Sequence, residues 1–477
     1  MTFHEADLIV VGGGPAGMAA AAQGAELGLS VILIDDGEQP GGQVYRAEAT
    51  GMYSKSGVHT AANKTAGMRL REALFKCGTR VLSKRTLWSI EPGYTAHLIG
   101  PNGPETVSAP RVVIASGAYE RQIPFPGWTN PEVIGLAAAT ILLKSQHTLP
   151  GKRIAIAGAG PLIYAVAAEA ISLGGEIVAI ADLSSRLTWA SEVPKLFTSP
   201  RLLSQGAAWM AKIKASGTPI YFSHRISEAQ YTGKNITALL SPVNSEGELV
   251  DGQRKSVNVD TICIGSGLVP ATELVMLAGA EMRYAASEGG WVPVRDTEMR
   301  LSLPGLYAAG DGTGILGAIP SEIEGRLAAA TAAKDAGISE GAAHSIARAM
   351  RRKLAWKKMA GRAAARLMAI KPKMAKDIPG DCIVCRCEDV HRYDIEAAID
   401  NGAKDVNQVK AWTRCGMGPC QGRMCRESAA EIIASRVGSR EAVGVWTSRA
   451  PLKPINVSEL IGDYSYQDIP MPKSAPL

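Results

Sequence analysis

Residues 381–425 read DCIVCRCEDVHRYDIEAAIDNGAKDVNQVKAWTRCGMGPCQGRMC, and six of the chain's eight cysteines fall among them: Cys382, Cys385, Cys387, Cys415, Cys420 and Cys425. The other two, Cys77 and Cys263, stand alone. Thiols this dense in one short segment point to sulfur chemistry, and disulfides, zinc and an iron–sulfur cluster compete to explain them. The opening residues carry no signal peptide, so a reducing compartment is expected and disulfides are the weakest explanation. Structural zinc usually takes two Cys-x-x-Cys knuckles or Cys/His pairs. Here the first pair is Cys385-x-Cys387, and the second is Cys420 with Cys425, or Cys415 with Cys420. His391 has no partner at a knuckle spacing. Four thiolates suit a [2Fe–2S] cluster, and the turn Gly416-Met417-Gly418-Pro419 offers backbone amides to sulfide. Iron–sulfur is the expected reading and zinc its rival.

Working outward, 477 residues imply more than one domain. Few aromatics (5%) beside 51 glycines suit α/β nucleotide-binding domains rather than a β-sandwich. The net charge of +6 is mild and mostly local. No apolar run is long enough to cross a bilayer. One long-range echo stands out, a glycine fingerprint that occurs twice.

The first copy follows the apolar strand Leu8–Val11, the signature of a buried parallel strand. Gly12-Gly13-Gly14-Pro15-Ala16-Gly17 comes next, then an alanine-rich helix to Gly28, then a strand Val31–Ile34 ending in Asp35. This is a complete βαβ unit with G-x-G-x-x-G and an acid about twenty residues on. Gly12 allows the tight turn, Gly14 lets backbone approach a pyrophosphate, and Gly17 lets helix and strand pack closely. The helix start offers free N–H groups to phosphate, and Asp35 can accept from ribose hydroxyls. The later Gly41-Gly42-Gln43 resembles the extended fingerprint of FAD enzymes. The segment Pro304 to Asp311, containing Gly310-Asp311, resembles the second FAD motif of glutathione-reductase-like flavoproteins. That likeness implies that Asp311 holds the ribityl and pyrophosphate region, and that a helix from about Pro320 aims its positive end at the flavin pyrimidine.

The strand and turn Val112 to Ala118, with Gly117, resemble the crossover into an inserted domain, and Thr261 to Gly267 the return. Cys263 then reads as a buried strand residue without chemistry. Between the crossovers a second βαβ unit runs through Gly158-Ala159-Gly160-Pro161-Leu162-Ile163 to Asp182. Its third glycine is replaced by Ile163, so this domain is expected to keep the fold and lose nicotinamide chemistry. Asp182 would in any case disfavour NADPH. Neither Cys-x-x-x-x-Cys after Gly42 nor Cys-x-x-Cys in the inserted domain occurs, so no redox disulfide of the reductase types is expected.

From Gly341 to Lys376 there is no acid, while the stretch is rich in Arg and Lys and forms helix readily. A solvated linker helix competes with docking to an acidic partner or to anionic lipid. Nucleic acid is not expected, because no recognition motif accompanies the charge. In the cysteine segment, helices are expected over 393–399, from an Asp405 cap to Trp412, and from Gln421 to Ile433. The proline-rich end is either disordered or laid against another subunit.

The sequence CRCE followed by GMGPCQGRMC resembles the small [2Fe–2S] domain of the bacterioferritin-associated-ferredoxin type. The whole chain resembles the larger flavoprotein subunit of opine oxidases, dye-linked proline and hydroxyproline dehydrogenases and hydrogen cyanide synthase. The resemblance implies a glutathione-reductase-like flavoprotein with two dinucleotide-binding domains and a small C-terminal [2Fe–2S] domain. Its FAD site would use Gly12, Gly14, Pro15, Ala16, Gly17, Asp35, Gly42, Gln43, Gly117, Gly310 and Asp311. It favours Cys385, Cys387, Cys420 and Cys425 as cluster ligands, with Cys415 the runner-up and Cys382 a spare thiol. The expected divisions are 1–116 and 260–335 for the FAD domain, 117–259 for the insertion, 336–376 for the basic linker, 377–436 for the cluster domain and 437–477 for the tail.

Such a chain would be the electron-transferring subunit of a heteromeric amino-acid dehydrogenase of opine, proline or hydroxyproline type. It would pass electrons from a smaller FAD-containing catalytic subunit to an acceptor such as a quinone. No residue set in the chain reads as a substrate site, so no catalytic residue is assigned. The resemblance also allows an FMN at a subunit interface, an ATP-like nucleotide in the second domain and a third small subunit. With no signal peptide and a basic stretch suited to anionic lipid, the expected place is the cytoplasm or, peripherally, the inner face of the plasma membrane. The alternatives are an NADH-dependent flavin/iron–sulfur reductase and, outside enzymes, a zinc-bearing scaffold.

Overall fold

The computed structural model describes residues 2–48, 61–233 and 235–460. Its first sheet is parallel, in the order Leu306–Ala308, Val112–Ile114, Leu8–Val11, Val31–Ile34, Arg80–Leu82. Leu8, Ile9 and Val10 are fully buried, as a strand covered on both faces requires. Two long helices, Pro15–Glu26 and Ala318–Asp335, cover one face and touch so closely that a Cβ on Gly325 would strike the Ala16 carbonyl. Against the other face lies a sheet built from Thr2–Glu5, Gly103–Ser108, Thr95–Gly100 and Thr86–Glu91.

The second sheet is also parallel, in the order Val133–Gly135, Thr261–Gly265, Arg153–Gly158, Glu176–Asp182, Ile220–Phe222. Thr261–Gly265 therefore lies inside this sheet, and a division before residue 260 cuts the second domain short. The cause is the alternation of the chain: the return strand completes the second sheet before Leu268–Pro270 pairs antiparallel with Ala118–Glu120 to form the crossover. Cys263 is buried in that strand as expected.

The basic stretch is one helix, Glu340–Leu367, and it is no free linker. Ala343, Ala347 and Leu354 are buried along one side, and near its end Ala360 and Ala363 are buried on the other. A Cβ on Gly361 would meet the Leu316 carbonyl. Part of its charge is used at home: Arg351 pairs with Glu298 (3.2 Å), Arg366 with Glu192 (3.3 Å), and Lys357 donates to the Thr198 carbonyl.

The cysteine domain is a hairpin, Ile383–Cys385 with Val390–His391, and three helices, Arg392–Asp400, Val406–Thr413 and Arg426–Val437. Asp405 caps the second by accepting from the Asn407 and Gln408 amides. The third begins at Arg426 rather than Gln421, because Gln421 and Gly422 both take left-handed conformations (φ 52° and 76°). This domain shares one hydrophobic core with the second sheet. A buried ionic seam ties this domain to the crossover region: Arg426 pairs with Glu273 (2.9 Å) and Arg121 Nε lies 4.0 Å from Glu427, which also pairs with Arg440 (3.0 Å). After the third helix the chain returns over its own molecule, burying Val443, Trp446 and Leu452, and the Leu452 amide donates to the Trp88 carbonyl. Residues 461–477 of the expected tail lie outside the described residues. Among the described residues no helix is long and apolar enough to cross a membrane.

Candidate functional site

The first glycine turn is built as a phosphate cradle. Gly12 has φ 101°, and a Cβ there would strike the Ala115 carbonyl. A Cβ on Gly17 would strike the Gly12 carbonyl, so helix and strand meet at backbone distance. Gly14, the residue before the helix, has no side-chain cap, with Pro15 at the first helical position and no acid in the first turn. A Cβ on Gly14 would meet only Gly42, at 4.0 Å. The second glycine pair closes the cradle: the Gly41 amide donates to the Gly13 carbonyl (2.7 Å) and a Cβ on Gly42 would lie 2.8 Å from Gly14 Cα. Gln43 receives a bond from Arg46 (3.0 Å) at the outer edge.

Asp35 accepts backbone N–H groups from Gly13 and Gly37 and so ties the turn to the strand end. Burial raises its pKa, opposed by those two amides. Asp311 follows Gly310 (φ 81°) at the end of the strand Leu306–Ala308. Its Oδ1 accepts the Leu316 and Gly317 amides (2.9 and 2.8 Å), which fixes the loop leading into the helix Ala318–Asp335. Among the described residues its hydrogen bonds use Oδ1 alone. Burial again raises the carboxyl pKa. Gly117 and Gly317, both at positive φ, would each point a Cβ into open space. The open spaces at Gly14, Gly117 and Gly317, an uncapped helix start and the second carboxylate oxygen of Asp311 fit the diphosphate, ribityl and ring system of FAD.

The second glycine turn has the same strand-turn-helix order but a different backbone, with Gly160 at φ 80° where Gly14 has φ -71°, and a different content. Gly160, at φ 80°, precedes the helix Pro161–Ser172. The Met368 side chain lies where phosphate would approach: a Cβ on Gly160 would collide with Met368 Cγ and lie 3.4 Å from its Sδ. Met368 is held there by its carbonyl, which accepts from buried Arg121 (3.2 Å), while the Leu367 carbonyl accepts from Ser184 (3.3 Å). Asp182, the ribose acid of the pattern, is fully buried and accepts from Tyr164 (2.6 Å), Trp189 (2.7 Å) and the Ser184 amide (2.7 Å). Ile163, in the third glycine's place, is buried in the core. The sequence singled out Ile163 but not Met368, which lies two hundred positions away at the end of a helix read as a linker.

The cysteines fall into two groups. Cys385, Cys415 and Cys425 are buried, and their sulfurs all lie within 4.8 Å of one another. Cys415 and Cys425 thiols and the Gly416 and Glu388 amides converge on Cys385 and hold its pKa far below the ordinary thiol value. Cys387 is exposed and Cys420 half-buried, and they are hydrogen-bonded neighbours. Gly418 lets the loop touch Cys387, whose Cβ would collide with any side chain there. Cys382 is buried, and its thiol points at its neighbour's carbonyl, outside both groups. Five thiols converge, enough donors of the right softness for a [2Fe–2S] cluster.

Residues 6–337 match the pyridine nucleotide-disulphide oxidoreductase family, and residues 383–435 match the BFD-like [2Fe–2S] binding domain. An opine oxidase subunit of Agrobacterium tumefaciens is 31% identical over 95% of this chain and 91% of its own length. The chain belongs to the opine oxidase branch of the pyridine nucleotide-disulphide oxidoreductases. Hydrogen cyanide synthase subunit HcnB of Pseudomonas aeruginosa is similarly related, 30% identical over 94% of this chain and 97% of its own length. The L-proline dehydrogenase from P. horikoshii shares the fold (TM-score 0.68, 19% identity), covering 96% of this chain and 80% of that one. The family places FAD in the oxidoreductase domain and a [2Fe–2S] cluster in the cysteine domain, and zinc gives way to iron. The chain is an oxidoreductase subunit.

Proposed function

We propose that this chain is the electron-transferring subunit of a heteromeric amino-acid dehydrogenase of the opine, proline or hydroxyproline type. The names of its relatives support the substrate class: opine oxidase and hydrogen cyanide synthase subunits cover nearly the whole chain. FAD accepts electrons in pairs and a [2Fe–2S] cluster passes them singly, so together they step a two-electron oxidation down to one-electron transfer. In this reading Gly12, Gly14, Pro15, Ala16 and Gly17 cradle the diphosphate with Gly42 and Gln43, and Asp35 meets the adenosine ribose. Gly117, Gly310 and Asp311 hold the ribityl end. Cys385, Cys387, Cys420 and Cys425 ligate the cluster. The exposed Cys387 edge then faces the electron acceptor.

One observation carries the choice of electron source, the Met368 side chain against Gly160. With that turn filled and Asp182 fully bonded, a nicotinamide nucleotide has no place in the second domain, which disfavours an NADH-dependent reductase. An ATP-like nucleotide there is disfavoured on the same ground. Electrons then come from substrate oxidised on a smaller flavoprotein subunit. The test is anaerobic spectroscopy of the purified chain, alone and with that subunit. The chain alone should keep its flavin oxidised with NADH or with opine, proline or hydroxyproline. With the smaller subunit present, one of these amino acids should bleach the flavin and support dye reduction. Rapid bleaching by NADH, or substrate turnover by the isolated chain, would overturn the reading.

A further inference from the structure

The cysteine domain brings together one thiol more than a [2Fe–2S] cluster can use, and the surplus lies on one side. Such a cluster takes four thiolates, two on each iron. At a metal–sulfur bond of about 2.3 Å and tetrahedral angles, two thiolates on one metal sit about 3.8 Å apart. Three sulfurs, those of Cys385, Cys415 and Cys425, lie within about an ångström of that spacing, all within 4.8 Å of one another. Cys387 and Cys420 form the other pair. The inner iron thus has three thiols in reach and two positions for them.

The fold explains the crowding. The helix Arg426–Val437 starts only after Cys425, and the preceding loop doubles back. Gly416 (φ 85°) faces Gly422 (φ 76°), each so placed that its Cβ would lie 3.6 Å from the other's Cα. That close approach sets Cys415, at one end of the loop, beside Cys425 at the other.

We propose that Cys415 is a reserve ligand that can exchange with Cys425 on the inner iron, whereas the outer iron, on Cys387 and Cys420, has no reserve. With the cluster bound, exchange would release the Cys425 thiolate, which would take up a proton, while the Cys415 thiol would give up its proton and take the vacated position. No electron moves. The inference rests on the [2Fe–2S] assignment above.

The test uses the full chain and reads iron content, visible absorption and electron paramagnetic resonance of the dithionite-reduced protein, with flavin content as the folding control. Cys425→Ser and Cys415→Ser should each keep iron close to the wild-type level, with altered g-values in Cys425→Ser, where the ligand has changed. The double variant, and Cys387→Ser or Cys420→Ser alone, should lose about tenfold or more of the signal, since a hydroxyl is a poor substitute for thiolate. Loss of the cluster from Cys425→Ser, with flavin retained, would overturn the reserve role. Should Cys425→Ser not accumulate folded, chelator release decides: Cys415→Ser should lose iron severalfold faster than wild type, and equal rates would count against the proposal. Absence of any [2Fe–2S] signal in the wild type would instead sink the cluster assignment itself.

Discussion

The two glycine turns of this chain share an order of elements and differ in backbone and contents: Gly14 enters its helix at φ -71°, Gly160 at φ 80°. Both follow a buried parallel strand, both place a positive-φ glycine before or within the turn, and both lead into a helix with proline at its first position. Around Gly14 a side chain would meet only the facing Gly42, 4.0 Å away. Around Gly160 the space is taken by Met368. The acids differ in the same way. Asp35 accepts two backbone amides of its own turn, whereas Asp182 is closed off by a tyrosine, a tryptophan and a serine amide. A fingerprint therefore records which fold the backbone adopts, and the contents of the turn decide whether a nucleotide can enter.

The largest effect is expected at the first turn. Gly12→Val puts a branched side chain at φ 101° against the Ala115 carbonyl. Overpacking of this kind costs about 1–3 kcal/mol or more, and here it falls on the cradle itself. The purified variant should carry almost no flavin by absorbance, with its iron largely retained. Gly158→Ala, the matched change at the second turn, would strike the Gly265 carbonyl and destabilise the second domain without touching the flavin cradle. Flavin loss at both turns to the same degree would erase the distinction.

Asp311→Ala should come next. It removes the acceptor of the Leu316 and Gly317 amides and leaves them unpaired, at a cost of about 1–3 kcal/mol. FAD affinity should fall about tenfold or more in titrations of the deflavinated protein. The cluster spectrum should persist, because the cysteine helices share their core with the second sheet and not the first. Parallel loss of both chromophores would show that the two halves fold as one unit.

Much of the first turn was legible because there the residue types are themselves the chemistry. Glycines at fixed spacing, an acid at a strand end, and Gly310-Asp311 specify a cradle wherever the chain folds. The cysteine segment was legible for the same reason, and so was the loss of the third glycine at Ile163. What was hidden depends on distant contact. Met368 carries no signal of its own, and its placement comes from Arg121 holding its carbonyl across the crossover. The basic helix read as a solvated linker or a docking element because its charges are plain in sequence while their partners, Glu192 and Glu298, are remote. The late start of the last helix came from a glutamine in a left-handed conformation, which the composition of that stretch does not announce. That same loop brings the Cys415 sulfur within 4.8 Å of those of Cys385 and Cys425.

At the second turn itself, neither NADH nor ATP should show saturable binding by calorimetry. Met368→Ala should leave flavin content unchanged and cost about 1 kcal/mol of stability, since the side chain is only half-buried. Shortening Met368 opens the phosphate position but leaves Asp182 bonded, so nucleotide affinity should remain weak. Tight binding of either nucleotide to the wild-type chain would mean that Met368 moves aside, and the contrast between the turns would become a switch.

The smallest effect concerns the hinge that joins the two halves. Glu120 lies on the crossover strand Ala118–Glu120 and accepts the Ala137 amide (2.9 Å) at the start of the helix Leu136–Ser145. Burial pushes its carboxyl pKa up to about 8, against the ordinary 4.5, with the Ala137 and Leu136 amides opposing only part of the shift. Between those two values the folded chain holds a proton that the unfolded chain has released. The contribution of Glu120 to stability is full below 4.5, declines as pH rises, and is gone once pH has passed through about 8. Glu120→Gln keeps an acceptor for Ala137 and cannot ionise. The difference in melting temperature between variant and wild type, at saturating FAD, should therefore shift in the variant's favour as pH climbs from 4.5 toward 8 and level off above that. Curves that stay parallel across that range would show that Glu120 ionises at its ordinary pKa, and that the hinge is open to water.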